Sequence, residues 1–548
     1  MLPRINYADS YGKDKQTAFG GLDRRLGAKD GAIAGMENMT ADHFPVLSNR
    51  PKRYKVKTLE KANGFAARDA LLWVDGTDFY YDGVRKGTVE DSKKRFCFLN
   101  YYVLIWPDKL YYRVGSKGVK ASKADLPAAG EYGELWSVGK AAPYDLYWWD
   151  GDTWDYLMPE FGPLEQRYSG SVRFQDGSYA GVSAAANTIY AKGVDWADYF
   201  AVNEAVRIKS ASNDLTLVIR EIDGEELRFY ENSFTNTEEA CTITRFVPEM
   251  DFLLENGNRL WGCKGDTIYC SALGNPKVWE DYDNLSTGSW SCEVGSAGDF
   301  TGCVSYGGYP LFFKEDHIYR VYGRKPSAYQ VEDSSDLGLE RGSADSFAIA
   351  GQVLYYKSRA GFCAYAGGVP VIIDEALGGA RLSEAVGGSD GVKYYVSVKN
   401  GDGYELLTYC KGMWHREDAT RAEAFGWSGE LYFLSGNHIW MTGRVRTAPD
   451  GEEDEVLSWV EFADCDGGTV SRKELQRILL RCEGRVTARI RYDGGRWEEC
   501  AGYTGKKTMH TLELIPRRCD HFQLRLEGRG DWKLYMLARE YGEGSDMP

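Results

Sequence analysis

The chain has 548 residues and a formal net charge of −15, with 43% hydrophobic and 27% charged residues. This length exceeds what one hydrophobic core usually supports, so we expect two to four domains. No apolar run approaches the roughly 20 residues of a membrane-spanning helix, and a strongly acidic chain is atypical of nucleic-acid-binding proteins. The 37 Tyr, 22 Phe and 16 Trp with 63 Gly favour short strands and tight turns over a helical bundle.

The charge is unevenly distributed along the chain. Residues 1–60 carry 11 Lys/Arg against 7 Asp/Glu, and residues 470–548 carry 16 against 12, so the acidic excess lies between them. An acidic body serves solubility, and it also suits a passage through which a polyanion slides without sticking. Both interpretations stay open at this point.

The N-terminus and the cysteines bear on the compartment. The first residues, Met1 to Asn6, contain no apolar signal core, so we expect no secretion signal. The 12 Cys are scattered without a repeated short spacing. We therefore expect reduced, mostly buried thiols in a cytoplasm.

Residues 1–49 are predicted to form an extended N-terminal arm. Glycines at positions 20, 21, 27, 31 and 35 interrupt any regular element. Such an arm is either disordered or held on the surface of a partner.

From residue 50 onward a hairpin pattern repeats. Two aromatic-rich strands flank a short polar turn, as in 71–81 (LLWVDGTDFYY) and 102–112. Similar pairs occur at 259–270, 310–320, 352–365 and 430–440, with a weaker copy at 404–414. The later copies lie roughly 45–50 residues apart, which is typical of propeller blades. The sequence thus predicts an all-β fold with a β-propeller of six or seven blades over 50–124 and 236–455.

Two regions depart from the repeat. Residues 125–235 are predicted to be an inserted small β-rich domain, with strands near 215–219 and 227–230 and one short helix near 195–205. Residues 456–548 contain alternating strands, such as 486–492 before an Asp-Gly-Gly turn, and predict a C-terminal β-sandwich.

The search for chemistry finds no catalytic, cofactor-binding or metal-binding residue to assign, and no cofactor is expected. The six His (43, 317, 415, 438, 510 and 521) show no ligand spacing, and no phosphate-binding loop is present. Asp150, Asp152 and Asp155 resemble a loose calcium loop but lack its Gly and its final Glu, and residues 464–467 fail the same test.

A glycan site is the one catalytic alternative. Trp148, Trp149 and Trp154, with Asp150 and Glu160, offer aromatic rings and a carboxylate pair of the kind that glycosidases use. Aromatic residues, however, occur evenly in every predicted blade, as the packing of small sheets requires. We therefore favour a structural role for these five residues.

The order of motifs resembles a known family. Residues 30–39 (DGAIAGMENM), 44–51 (FPVLSNRP) and 268–279 (IYCSALGNPKVW), followed by Arg-rich stretches at 516–522 and 526–530, are similar to phage tail nozzle or hub proteins. These form the tail tubular protein B and packaged-DNA stabilisation group of short-tailed phages. Uncharacterised phage and prophage structural proteins look similar.

The resemblance implies a structural virion protein that is not an enzyme. Such proteins assemble into a ring, usually of six copies, below the portal and adaptor, and packaged DNA passes through the lumen without sequence-specific binding. The implied location is the virion tail, assembled in the host cytoplasm. Two alternatives remain: a virion propeller that binds host cell-wall glycan through 125–235, and a propeller enzyme acting on glycans.

Overall fold

The computed structural model confirms the all-β class, with a propeller, a small inserted β domain and a C-terminal sandwich. Helical structure among the described residues is confined to short 3-10 turns, and Trp196–Asp198 is the turn found where a short helix was expected. None of these described helices is long and apolar enough to cross a membrane. The structure describes residues 11–175, 187–230, 234–282, 286–443, 450–468, 472–512, 514–515 and 517–543.

The chain divides into two compact units. The first unit comprises Met1–Glu60, Ala67–Asp69 and Gly342–Pro548, and the second comprises Lys61–Ala66 and Ala70–Arg341. Blade-type antiparallel sheets occur in both units.

Four blade-type sheets belong to the second unit. Their strands are Ala62–Ala67, Leu71–Asp75, Asp78–Tyr81 and Val84–Thr88; Arg95–Leu99, Tyr102–Trp106, Leu110–Arg113 and Phe161–Pro163; Phe252–Asn256, Arg259–Lys264, Thr267–Cys270 and Trp290–Glu293; Gly302–Tyr306, Tyr309–Phe313, His317–Tyr322 and Gln330–Ser335. Tight turns join neighbouring strands. In the first sheet Asp75 pairs with Asp78 across a turn whose Gly76 has a φ of 60°, a conformation that favours glycine.

Two further sheets of the second unit lie within or beside the predicted insertion, 125–235. One has the strands Val119–Lys120, Leu135–Val138, Asp145–Trp149 and Trp154–Pro159. The other is a closed barrel of Gln166–Gln175, Thr188–Tyr190, Ala205–Lys209, Asp214–Asp223, Glu226–Phe229 and Glu238–Arg245. The barrel encloses its own core around Phe174, Trp196 and Phe229. The predicted insertion thus covers parts of two separate sheets.

Three blade-type sheets belong to the first unit. Their strands are Ala348–Ala350, Val353–Lys357, Phe362–Tyr365 and Val371–Ile372; Leu382–Ser389, Tyr394–Asn400, Gly403–Cys410 and Met413–Asp418; Ala424–Ser428, Glu430–Ser435, His438–Met441, Tyr54–Thr58 and Gly451–Glu452. The last sheet joins distant parts of the chain, because Tyr54–Thr58 pairs with His438–Met441.

The C-terminal sheet has ten strands. They are Tyr11–Gln16, Ile33–Glu37, Met39–Thr40, Leu47–Asn49, Leu457–Phe462, Lys473–Tyr492, Glu498–Leu512, Arg518–Cys519, Phe522–Arg529 and Lys533–Glu543. The 20-residue strand Lys473–Tyr492 organises this sheet. Its first half pairs with Lys533–Glu543, its second half pairs with Phe522–Arg529, and its other edge pairs with Glu498–Leu512.

The segment predicted as an extended arm, 1–49, contributes strands to this C-terminal sheet from residue 11 onward. Ile33–Glu37 pairs with Leu457–Phe462, and Leu47–Asn49 pairs with the last strand of the chain. Ile33 and Met39 are fully buried in the core of the first unit. The glycines that suggested an irregular arm instead lie between or within these short strands.

Candidate functional site: a polar cavity beside Trp427

A cavity of about 410 Å³ opens in the first unit. It is built by the chain between the N-terminal strands and the propeller, by the sheet 382–418 and by the hairpin 424–441. Three basic and four acidic side chains line it with two aromatic rings. These lining residues are Asp42, Arg50, Arg53, Asp390, Lys393, Tyr395, Glu417, Trp427 and Glu430.

Two buried arginines form one wall. Arg53 donates to Glu417 at 2.6 Å and to Asp418 at 2.7 Å, while Arg50 donates to Glu453 at 2.8 Å. Burial alone raises the pKa of Asp418, but the adjacent Arg53 and Arg50 outweigh it and lower that pKa to about 2. The carboxylates hold the pKa of Arg53 above its ordinary value against the opposing effect of burial. This wall is a preformed ionic network.

A second polar group surrounds Lys393. Its ammonium contacts the Asp42 carboxylate and donates to the Thr40 hydroxyl at 3.2 Å. Tyr395 donates its hydroxyl to Asp390 at 3.2 Å, and burial raises the pKa of Tyr395 well above its ordinary value. The charges of Lys393 and Asp42 are thus matched within the cavity wall.

Trp427 and Glu430 differ from the rest of the lining. They flank a tight turn in which Ser428 pairs with Glu430 around Gly429, whose φ is 74°. The Trp427 side chain is 45% exposed. Glu430 is half-buried, its carboxylate lies against Gly443, and no hydrogen bond or ion pair to it is found within the described part of the chain. The cavity lining therefore includes an exposed indole and a carboxylate that has no partner among the described residues.

The residues of the sequence-based glycan alternative have structural roles. Trp149 and Trp154 are buried with their ring centroids 5.2 Å apart, and Trp154 donates its Nε1–H to the Pro127 carbonyl at 2.8 Å. Glu160 is fully buried and accepts hydrogen bonds from Lys86 and Ser137. Trp149 and Trp154 thus pack against each other, and Glu160 is held separately by Lys86 and Ser137.

The remaining members of that group are surface residues. Trp148 is half-buried and contacts Tyr132 edge to face. Asp150 accepts the backbone N–H groups of Asp152 and Thr153, which lowers the pKa of Asp150. The aspartates that resembled a calcium loop thus stabilise their own turn.

Sequence reasoning did not identify the cavity. Its residues come from positions between 40 and 443, and no short motif contains them. The sequence analysis named one stretch that reaches the cavity, 44–51, which contains Arg50. It named that stretch for its resemblance to phage tail proteins and not as part of a binding site. The contrast between the buried ionic wall and the exposed Trp427 indole emerges only in three dimensions.

Comparison with known proteins gives structural matches only. No family model matches the chain, and no curated protein matches it. The alignment with exo-β-1,3-galactanase from Phanerochaete chrysosporium covers 51% of this chain and 92% of the galactanase chain, at 9% identity and a TM-score of 0.21. The alignment with exo-inulinase from Aspergillus awamori covers 90% of this chain and 98% of the inulinase chain, at 9% identity and a TM-score of 0.16.

The prediction that the protein is not an enzyme is contradicted by these matches, because they include exo-β-1,3-galactanase and another glycoside hydrolase. At 9–10% identity and TM-scores below 0.25, the likeness assigns no activity to this chain. The phage tail resemblance stays a prediction.

Proposed function

We propose that the protein is a glycan-recognising β-propeller protein whose cavity beside Trp427 holds a saccharide unit. The observation that carries the proposal is a cavity of about 410 Å³ whose lining includes an exposed indole and a carboxylate with no partner among the described residues. Concave sites with an aromatic surface and a few placed polar groups are typical of small-ligand binding.

The chemistry of the lining favours a neutral polyol. The apolar face of the Trp427 indole suits the C–H face of a pyranose ring, and the Glu430 carboxylate accepts hydrogen bonds from hydroxyl groups. The cationic side chains Arg50, Arg53 and Lys393 already have carboxylate partners. An anionic ligand would therefore gain little from them and would be repelled by Glu430.

A purely structural role explains the ionic wall but not this pair. Buried Arg–carboxylate networks fix local geometry without any ligand. Trp427 leaves almost half of its surface in solvent, and Glu430 has no cationic partner within the described residues. Recognition of a ligand would account for both features.

Isothermal titration calorimetry on the full chain tests the proposal, with β-1,3-galactotriose, cellotriose and N-acetylchitotriose as probes. We expect at least one to bind with a submillimolar dissociation constant. Trp427→Ala should weaken binding at least tenfold, and Glu430→Gln several-fold. Trp497→Ala is the matched control, because this half-buried Trp lies in the C-terminal domain, away from the cavity lining.

Two results of this titration would contradict saccharide binding in the cavity. Failure of all three probes at millimolar concentration, or a Trp427→Ala variant that binds as the wild type does, contradicts the proposal. Measuring reducing-sugar release in the same samples shows whether binding is accompanied by hydrolysis.

The tail-ring role is a separate proposal that rests on the resemblance of motifs. It predicts closed rings of about six copies, which light scattering and negative-stain imaging of the purified protein measure. A glycan site is compatible with that role, because a virion propeller can also contact the host cell wall.

A further inference from the structure

Three aromatic side chains form a row across the sheet 119–159 of the second unit. In register, Trp136 is paired with Tyr147, and Tyr147 is paired with Tyr156. Directly paired residues project from the same face of a sheet, and neighbouring strands lie about 4.8 Å apart. This aromatic row, Trp136–Tyr147–Tyr156, therefore extends for roughly 10 Å across three strands.

One part of this face is covered and the other is open. Trp149 and Trp154 project from the same face as the row and are buried under the segment around Pro127 and Gly130. Tyr156 is 54% exposed, while Trp136 and Tyr147 are half-buried. The row thus lies on the less covered part of this face.

Two lysines lie over the row. The Lys120 Nζ is 4.5 Å from the Trp136 ring centroid, and the Lys123 Nζ is 5.4 Å from that of Tyr147. Neither lysine forms an ion pair with a carboxylate among the described residues, whereas the nearby Lys117 is paired with Glu134 at 2.9 Å. The row thus combines aromatic rings with two cations that have no anionic partner in the part of the chain that the structure describes.

We propose that the aromatic row with Lys120 and Lys123 is a second saccharide-binding surface, specific for acidic glycan chains. The rings accept the C–H faces of successive sugars, and the ammonium groups bind carboxylate or phosphate substituents. Charge complementarity distinguishes this surface from the cavity beside Trp427, whose cations are already paired. The proposal does not depend on that cavity and uses none of its residues.

Cation–π pairing alone is the competing explanation, since a lysine over an exposed ring is weakly attracted to it without any ligand. Single-stranded nucleic acid is a competing ligand, since aromatic rows with lysines also stack bases. The acidic charge of the chain as a whole is atypical of nucleic-acid-binding proteins, which favours the glycan.

The test is calorimetric titration of the full chain with hexagalacturonate, neutral maltohexaose and a dT12 oligonucleotide at 50 and 300 mM NaCl. We expect hexagalacturonate to bind at least tenfold more tightly than maltohexaose, and to weaken at 300 mM salt. Lys120→Gln/Lys123→Gln and Tyr147→Ala/Tyr156→Ala should each weaken it at least tenfold while the thermal midpoint stays within a few degrees.

Two control variants sharpen the result. Tyr101→Ala removes an exposed tyrosine under a different cation, since Arg113 lies 4.2 Å from its ring centroid, and should bind as the wild type does. Trp427→Ala should also leave this binding intact, which separates it from the cavity. The proposal is overturned if hexagalacturonate fails to bind at millimolar concentration, if the row variants bind normally, or if dT12 binds more tightly.

Discussion

The ionisation of Asp418 is coupled to the two arginines of the cavity wall. Its folded-state pKa of about 2 lies below the ordinary 3.8, so its ionised form stabilises the fold above pH 4, and this contribution is lost as the pH falls toward 2. We expect Asp418→Asn to lower the free energy of unfolding by about 2 kcal/mol at pH 7 and by about half of that at pH 3. Urea unfolding at both pH values measures this; an equal loss at both would refute it.

His415 predicts a second pH dependence with its own window. Burial, aided by Lys393, lowers its pKa from 6.5 to about 4. Between pH 6.5 and 4, His415 is therefore protonated in the unfolded chain but neutral in the folded chain. The free energy of unfolding decreases by about 3 kcal/mol as the pH drops through this range. His415→Gln should flatten this part of the pH–stability curve. A curve parallel to that of the wild type would show that His415 titrates normally.

At the scale of elements, the N-terminal strands are integral to the C-terminal sheet. Deleting residues 2–48 removes Ile33, Met36, Met39 and Leu47, each almost fully buried. Their burial is worth roughly 6–12 kcal/mol together, which is comparable to the whole stability of a typical domain. We expect the truncated chain to be insoluble or to lose its cooperative thermal transition.

The control for this truncation is a chain that lacks only residues 2–10, which retains those four side chains. It should unfold at a temperature close to that of the full chain. If the longer deletion also unfolds normally, the strands 33–49 do not contribute to the core as described.

The long strand Glu498–Leu512 is an edge that its own sequence protects. It pairs with Lys473–Tyr492 on one side, and Lys506 and Lys507 both lie opposite the single Glu483, which forms a bulge. Bulges and lysines at an edge discourage pairing with other chains. Lys506→Val/Lys507→Val should therefore increase concentration-dependent light scattering without lowering the thermal midpoint. Lys29→Val, at an exposed turn, is the control; equal scattering by both would argue against edge protection.

The sequence predicts local pairing well and long-range pairing poorly. The hairpin at 71–81 was predictable because turn chemistry and aromatic strands lie next to each other in the chain. The pairing of Tyr54–Thr58 with His438–Met441 was not, since no local signal links segments almost 400 residues apart. For the same reason glycines at 31 and 35 suggested a loose arm, although the partner strand of Ile33–Glu37 lies beyond residue 450.

The candidate site was equally hard to predict from the sequence, because it depends on contacts between distant segments. Trp149 and Trp154 look like ligand-binding aromatics in the sequence, but burial under Pro127 decides against it. Trp427 has no distinguishing neighbours in the sequence, and its exposure beside Glu430 depends on how a hairpin meets residues 40–53. Exposure and charge pairing are three-dimensional properties that composition and spacing do not encode.

At the scale of the whole molecule, the resemblance of motifs predicts self-assembly, whereas the cavity predicts saccharide binding. The resemblance predicts assembly of about six copies into a ring, which sedimentation or light scattering of the full chain measures. A persistent monomer across micromolar concentrations, also in the presence of tail components, would contradict the ring. That outcome would leave the glycan proposal unaffected, because every residue of the cavity belongs to one chain.

The most direct measurement of the central claim is a crystal structure of the full chain with the tightest-binding trisaccharide. We predict density for a sugar ring on the Trp427 indole, with a hydroxyl group within hydrogen-bond distance of the Glu430 carboxylate. A saccharide bound elsewhere, with the cavity beside Trp427 containing only solvent, would contradict the account.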